Sequence, residues 1–140
     1  MDDAWITIAS DPTGQCGEES PRVMVIDDEP DFCTVVSELL GIADVRVSKA
    51  HNAGEAISLL EQATPDLILT DVMMPGMDGL DFVRHVRADP DLRTIPTIVV
   101  SARVRPEDRE AARLAGADGF LAKPFTWRQL LRTIDPYLAR

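Results

Sequence analysis

Five short apolar runs alternate with helical stripes along this chain, and that alternation restricts its fold more than any other feature. The runs are Val23-Met24-Val25-Ile26, Val45-Arg46-Val47, Leu67-Ile68-Leu69-Thr70, Thr97-Ile98-Val99-Val100 and Gly119-Phe120-Leu121-Ala122. Such runs, bounded by turn residues, read as strands buried on both faces. Between them lie helix signals. Pro30 suits a first helical turn, Phe32, Val35, Val36, Leu39 and Leu40 follow at helical spacing, and Gly41 is expected to close that helix. Asn52 with Glu55 resembles a capping box ahead of Ala53, Ala56, Ile57 and Leu60. Leu80, Val83 and Val86 mark a third helix after Gly79. A fourth starts near Pro106 and ends at Gly116. Thr126 with Gln129 caps a fifth, whose stripe is Trp127, Leu130, Leu131, Ile134 and Leu138.

Strand and helix in strict alternation imply a doubly wound α/β domain, a five-stranded parallel sheet covered on both faces. Right-handed crossovers leave few topologies. The fourth helix offers only Ala111, Ala112, Leu114 and Ala115 as inward positions. That is little apolar area, so this helix is expected to be weakly held.

Charge and length exclude several functions. The net charge is -10. Residues 1–20 carry Asp2, Asp3, Asp11, Glu18 and Glu19 with no Lys or Arg, so they read as an acidic, flexible tail whose one apolar cluster is Trp5-Ile6-Thr7-Ile8. Residues 21–140 form the domain. No basic face for nucleic acid is present in either part. No run is long enough to span a membrane, and the N-terminus lacks the features of a signal peptide, so a cytoplasmic location is the expectation. Cys16 and Cys33 fit no metal spacing and read as free thiols. His51 and His85 have no partner motif.

The residues ending strands one, three, four and five carry chemistry: Asp27-Asp28, Asp71, Ser101 and Lys123. In a parallel sheet these ends share one edge, the edge at which open α/β sheets bind ligands. Asp71 stands out because a buried run stops at it and the turn Pro75-Gly76-Met77-Asp78-Gly79 soon follows. Three carboxylates at one rim repel, and a divalent cation or raised pKa values must relieve them. Oxygen ligands with no neighbouring Cys or His favour a hard ion, and few carboxylates plus water suit Mg2+. Lys123 is one of only two lysines, with Lys49, against twelve arginines.

These pieces resemble the receiver domain of bacterial two-component response regulators over about residues 22–138. The matching segments are Val25-Ile26-Asp27-Asp28-Glu29, Asp71 to Gly79, Ser101-Ala102 and Lys123-Pro124-Phe125. The resemblance implies a flavodoxin-like (β/α)5 fold with strand order 2-1-3-4-5. It implies that Asp71 accepts a phosphoryl group from a phosphohistidine of a sensor histidine kinase or histidine phosphotransfer protein. Asp28, Asp71 and the Met73 backbone carbonyl would bind Mg2+ directly, with Asp27 acting through water. Lys123 would pair with a phosphoryl oxygen, Ser101 would donate to another, and Phe120 would be the aromatic switch. The surface altered would be helix 4, strand 5 and helix 5, which would face a downstream effector domain or protein, or a second copy in a homodimer. Lys123-Pro124 is a candidate cis peptide.

Two other readings use the same residues. A haloacid-dehalogenase-like phosphatase also forms an aspartyl phosphate at a strand end, but needs an acid two residues on, where this chain has Met73. A receiver kept only as an interaction module would not need every site residue. Met73 and Arg103 flank the expected path of attacking water and are expected to tune hydrolysis. No helix-turn-helix or catalytic segment follows the fifth helix before Arg140, which leaves a stand-alone regulator and a receiver joined to an effector domain both open. The Arg-rich stretch Arg103, Arg105, Arg109 and Arg113 alternates with Glu107, Asp108 and Glu110 and reads as a solvated helix face.

Overall fold

The first strand, β1 (Arg22–Ile26), buries Val23 and Val25 as well as Met24 and Ile26, so it lies between two layers. The computed structural model describes residues 20–138. In chain order, α1 (Pro30–Ile42), β2 (Arg46–Ala50), α2 (Ala53–Gln62), β3 (Leu67–Thr70) and α3 (Gly79–Ala88) follow β1. Next come β4 (Thr97–Ser101), α4 (Pro106–Ala115), β5 (Gly119–Ala122) and α5 (Trp127–Ile134), with a 3-10 turn at Asp135–Tyr137. The five strands form one parallel sheet in the order β2-β1-β3-β4-β5. This is the doubly wound, flavodoxin-like arrangement expected from the sequence.

Alternate residues of each strand feed opposite layers. Val23, Val25, Leu67, Leu69, Ile98 and Val100 pack against Cys33, Val36 and Leu40 of α1 and Leu130 and Ile134 of α5. Met24, Ile26 and Ile68 meet Ala53, Ala56 and Leu60 of α2 and Phe82 and Val86 of α3. A smaller cluster joins Val99 and Val83 to Ala112 and Ala115 of α4. Those two alanines are the only buried residues of α4. At about 0.8 kcal/mol per buried methyl-sized group, they anchor it far less than Leu130 and Ile134 anchor α5.

Several local expectations differ from what forms. The inward row of α1 is Cys33, Val36 and Leu40, while Val35 is 56% exposed and Phe32 and Leu39 are half-buried. Gly41 does not end α1. The helix continues to Ile42, and the chain turns at Asp44, which has φ 63°. Aspartate tolerates that left-handed conformation, and here the Ser20 hydroxyl donates to Asp44 Oδ1 at 3.0 Å. β2 is displaced to Arg46–Ala50 because its register is set by pairing with β1, Arg22 opposite Arg46 through Ile26 opposite Ala50. Leu114 is 70% exposed. It lies two residues, about 200° of helical turn, past inward-facing Ala112.

The capping box at α2 is half made. Asn52 Oδ1 accepts from the Glu55 amide, but Glu55 Oε1 accepts from the His51 amide instead of that of Asn52. The box at α5 is complete, Gly116 closes α4 at φ 113°, and the fully buried Phe82 joins the α3 stripe read as Leu80, Val83 and Val86. The tail expected over residues 1–20, with Trp5 to Ile8 and Cys16, lies outside the described residues except for Ser20. Among the described residues no helix is long and apolar enough to cross a membrane, and Cys33 is a buried free thiol.

Candidate functional site

Every strand-end residue picked out in the sequence sits at the carboxyl edge of the sheet, because all five strands run the same way. Backbone pairing holds the two central ones. The Asp27 amide donates to the Ala50 carbonyl at 3.0 Å and the Asp71 amide to the Ile26 carbonyl at 2.9 Å. Oxygens of Asp27, Asp28 and Asp71 all lie within 4.8 Å of one another. Asp27 is 1% exposed and Asp28 is open to solvent.

Lys123 reaches into this cluster from the end of β5. Its Nζ donates to Asp27 Oδ2 at 2.7 Å and stands 3.8 Å from Asp71 Oδ2. The ammonium also lies 4.3 Å from the ring centre of Phe32, which meets Phe125 edge-on at 6.0 Å. Asp27 Oδ1 accepts from the Glu29 amide at 3.0 Å. The most buried acid therefore has a partner on each oxygen, which is what burial of a charge requires. Asp71 Oδ1 accepts from the Val72 amide at 2.8 Å.

Burial pushes the Asp71 carboxyl above its ordinary pKa; Lys123 opposes this, Asp27 adds to it, and the Val72 and Met73 amides pull it back down. Asp71 is thus a carboxylate kept basic by its surroundings, with one oxygen turned toward a cation. Ser101 is buried and lies at the same edge, but its Oγ accepts from the Arg103 amide at 3.0 Å and makes no direct hydrogen bond to Asp71. Lys123 and Ser101 are tied together through backbone, the Lys123 amide donating to the Ser101 carbonyl. The Lys123-Pro124 peptide is cis. Met73 exposes 53% of its surface, and Phe120 is half-buried on β5, away from the carboxylates. His51 pairs loosely with Glu55 at 3.4 Å, outside the site.

Three residues make contacts that their sequence patterns do not announce. Gly79 passes so close to Asp71 that a Cβ there would fall 1.8 Å from the Asp71 carbonyl oxygen. Its amide donates to the Val72 carbonyl at 2.9 Å, fastening the loop that carries the acid. The turn signal at Gly79 was visible, but the close approach depends on a contact between separate parts of the loop. Phe32 roofs the ammonium, and read as a core residue of α1 it gave no sign of this. Arg109 lays its guanidinium over Phe120.

A doubly wound sheet with a carboxylate cluster and a lysine at its carboxyl edge defines an α/β domain whose candidate site lies where open α/β sheets bind ligands. The profile of the response regulator receiver domain matches residues 23–135, and the chain belongs to that family. It is 32% identical over 118 residues to protein PilH of Pseudomonas aeruginosa, covering 84% of this chain and 98% of PilH. It is 38% identical over 125 residues to the transcriptional regulatory protein PrrA of Mycobacterium leprae, covering 89% of this chain and 52% of that protein. The chain therefore spans about half of PrrA. Among solved structures, chemotaxis protein CheY4 of Vibrio cholerae superposes with a TM-score of 0.81 at 32% identity, covering 85% of this chain and 99% of CheY4. A response regulator from Chloroflexus aurantiacus superposes at 0.82 with 29% identity, covering 87% and 100%.

Proposed function

We propose that residues 21–140 act as a phosphorylation-driven signalling switch in which Asp71 is the phosphoacceptor. The observation that carries this reading is the Asp71 carboxylate, held at a strand end with Oδ2 3.8 Å from the Lys123 ammonium and beside Asp27 and Asp28. Asp71 Oδ2 attacks phosphorus, the bond from phosphorus to the donor histidine nitrogen breaks, and an acyl phosphate forms. Lys123, already within reach of both acids, pairs with an oxygen of the arriving group. Ser101 exchanges its contact with the Arg103 amide for a hydrogen bond donated to another phosphoryl oxygen.

The donor set fits Mg2+: three carboxylates with oxygens within 4.8 Å, no sulfur or imidazole among them, one acid exposed to water. Asp28, Asp71 and the Met73 carbonyl would hold the ion, with Asp27 through water. When bound, the ion neutralises charge on the transferring phosphoryl oxygens.

Phosphorylation is then read out through the weakly anchored α4. Drawing Ser101 inward shifts the loop into α4, and Phe120 turns into the space released, changing the α4, β5 and α5 surface. A sensor histidine kinase or histidine phosphotransfer protein supplies the phosphoryl group. Beside Lys123 a groove of about 410 Å³, lined by Phe32, Val35, Leu39, Phe125 and Trp127 among others, offers such a donor an apolar place to dock. The output passes to an effector domain or protein, or to a homodimer through the changed face, in the cytoplasm. Met73 and Arg103 set how fast water removes the phosphoryl group.

The test is incubation with acetyl phosphate and Mg2+. The chain is expected to gain one acid-labile phosphoryl group that Asp71→Asn abolishes. No uptake, or uptake unaffected by that substitution, overturns the reading.

A further inference from the structure

The arginines of α4 and the loop before it are not equivalent. Arg105 pairs with Asp108 and Glu107, and Arg113 pairs with Glu110 at 2.6 Å. Arg109 forms no ion pair with any described residue. Its guanidinium carbon lies 4.7 Å from the centre of the Phe120 ring. Its Nε donates, at a long 3.4 Å, to the Val104 carbonyl in the loop between β4 and α4.

One side chain thus joins three segments: that loop, α4 and β5. A guanidinium over an aromatic face is attracted by the ring's negative quadrupole. Beneath Phe120, α4 supplies only the small residues Ala112 and Ala115. An open surface pocket of about 130 Å³ borders the ring, lined by Arg109, Ala112, Arg113, Ala117, Asp118 and Gly119. On its α4 side the ring therefore meets open space and small residues, which do little to hold it there.

We propose that Arg109 is a positioning residue for the switch, a latch whose guanidinium keeps Phe120 and the loop at Val104 in the unphosphorylated arrangement. The inference rests on Phe120 being the moving aromatic of the function proposed above. Phosphorylation works against the latch, because drawing Ser101 inward pulls the loop that Arg109 holds. Removing the cation raises the population of the rearranged state before any phosphoryl group arrives. The rearranged state is the one that accepts phosphoryl groups, so the rate of acceptance rises in proportion. An exposed cation–π contact of about 0.5–1 kcal/mol corresponds to about a two- to fivefold change, at about 1.4 kcal/mol per tenfold.

The experiment uses the full chain labelled with 4-fluorophenylalanine. It compares wild type with Arg109→Met, which keeps an apolar stem, Arg109→Lys, which keeps the charge but loses the planar stack, and Arg113→Met as a charge-matched control. In Arg109→Met the Phe120 fluorine resonance is expected to move toward its position in the phosphorylated wild type. Phosphorylation by acetyl phosphate should accelerate about two- to fivefold, with the hydrolysis rate unchanged. Arg109→Lys should fall between, and Arg113→Met should match wild type. A general loss of structure would slow phosphorylation, the opposite sign. An unmoved resonance, an unchanged rate, or equal effects in Arg113→Met overturn the latch. If the wild type accepts no phosphoryl group, the proposed function fails instead, and the Phe120 resonance without a phosphodonor still decides whether Arg109 holds the ring.

Discussion

Gly79→Ala should damage both the fold and the site, and the reason is geometric. A Cβ at this position would lie 1.8 Å from the Asp71 carbonyl oxygen, 2.8 Å from the Asp71 carbonyl carbon and 2.9 Å from the Val72 Cα. All three are backbone atoms, so no rotamer change relieves the clash. The loop must move, stretching the hydrogen bond from the Gly79 amide to the Val72 carbonyl and shifting Asp71, the proposed phosphoacceptor. Overpacking against rigid surroundings costs about 1–3 kcal/mol, and the backbone contacts place this case at about 3 kcal/mol. With a urea slope of about 2 kcal/mol per M, the unfolding midpoint should fall by about 1.5 M. Phosphorylation by acetyl phosphate should slow in whatever fraction stays folded. Gly41→Ala supplies the contrast: nothing lies within 4 Å of its Cβ, and it sits inside α1. That substitution should stabilise by about 0.5–1 kcal/mol. A Gly79→Ala protein within about 0.5 kcal/mol of wild type, with normal phosphorylation, would refute the argument.

Lys123→Met leaves Asp27 buried without its ammonium, so stability should drop by about 3 kcal/mol; adding Asp27→Asn should recover much of that loss while phosphorylation stays slower than in wild type, as urea melts and acetyl phosphate assays can show. Asp71, whose pKa is raised by burial, disfavours the native state when ionised. Asp71→Asn in EDTA should therefore be more stable than wild type at pH 7, and the gain should shrink as pH falls through the raised pKa toward the ordinary value of 3.8. A gain independent of pH in urea melts would contradict this. The Cys33 thiol is pushed up to about 11 by burial and the nearby Asp27, so iodoacetamide at pH 8 should modify it slowly in the native protein and readily in urea. Polar replacements at Met73 should change the half-life of the aspartyl phosphate, measured by loss of label, and an unchanged half-life would remove Met73 from the hydrolysis path.

Much of the site was legible because its residues end apolar runs. Asp27, Asp71, Ser101 and Lys123 each follow a run whose hydropathy marks a buried strand, and parallel strands bring such ends to one edge. Pairings across that edge were less legible. The hydrogen bond from the Lys123 ammonium to Asp27, 96 positions away, is one that no local pattern announces. The apolar side chains of Val35 and Leu114 suggest inward positions; helix rotation, set by which row meets the sheet, turns both to solvent.

The order of strand and helix, the two-sided burial of the strands and the identity of the rim residues were determined by the sequence alone. These follow from periodicity and from where each apolar run stops, both local properties of the chain. Tertiary structure decided the β2 register, the turn at Asp44, the closeness of Gly79 to Asp71, the roof of Phe32 over Lys123 and the placing of Arg109 over Phe120. Each depends on the distance between segments separated in the chain, and that distance exists only after the sheet and its helices have packed.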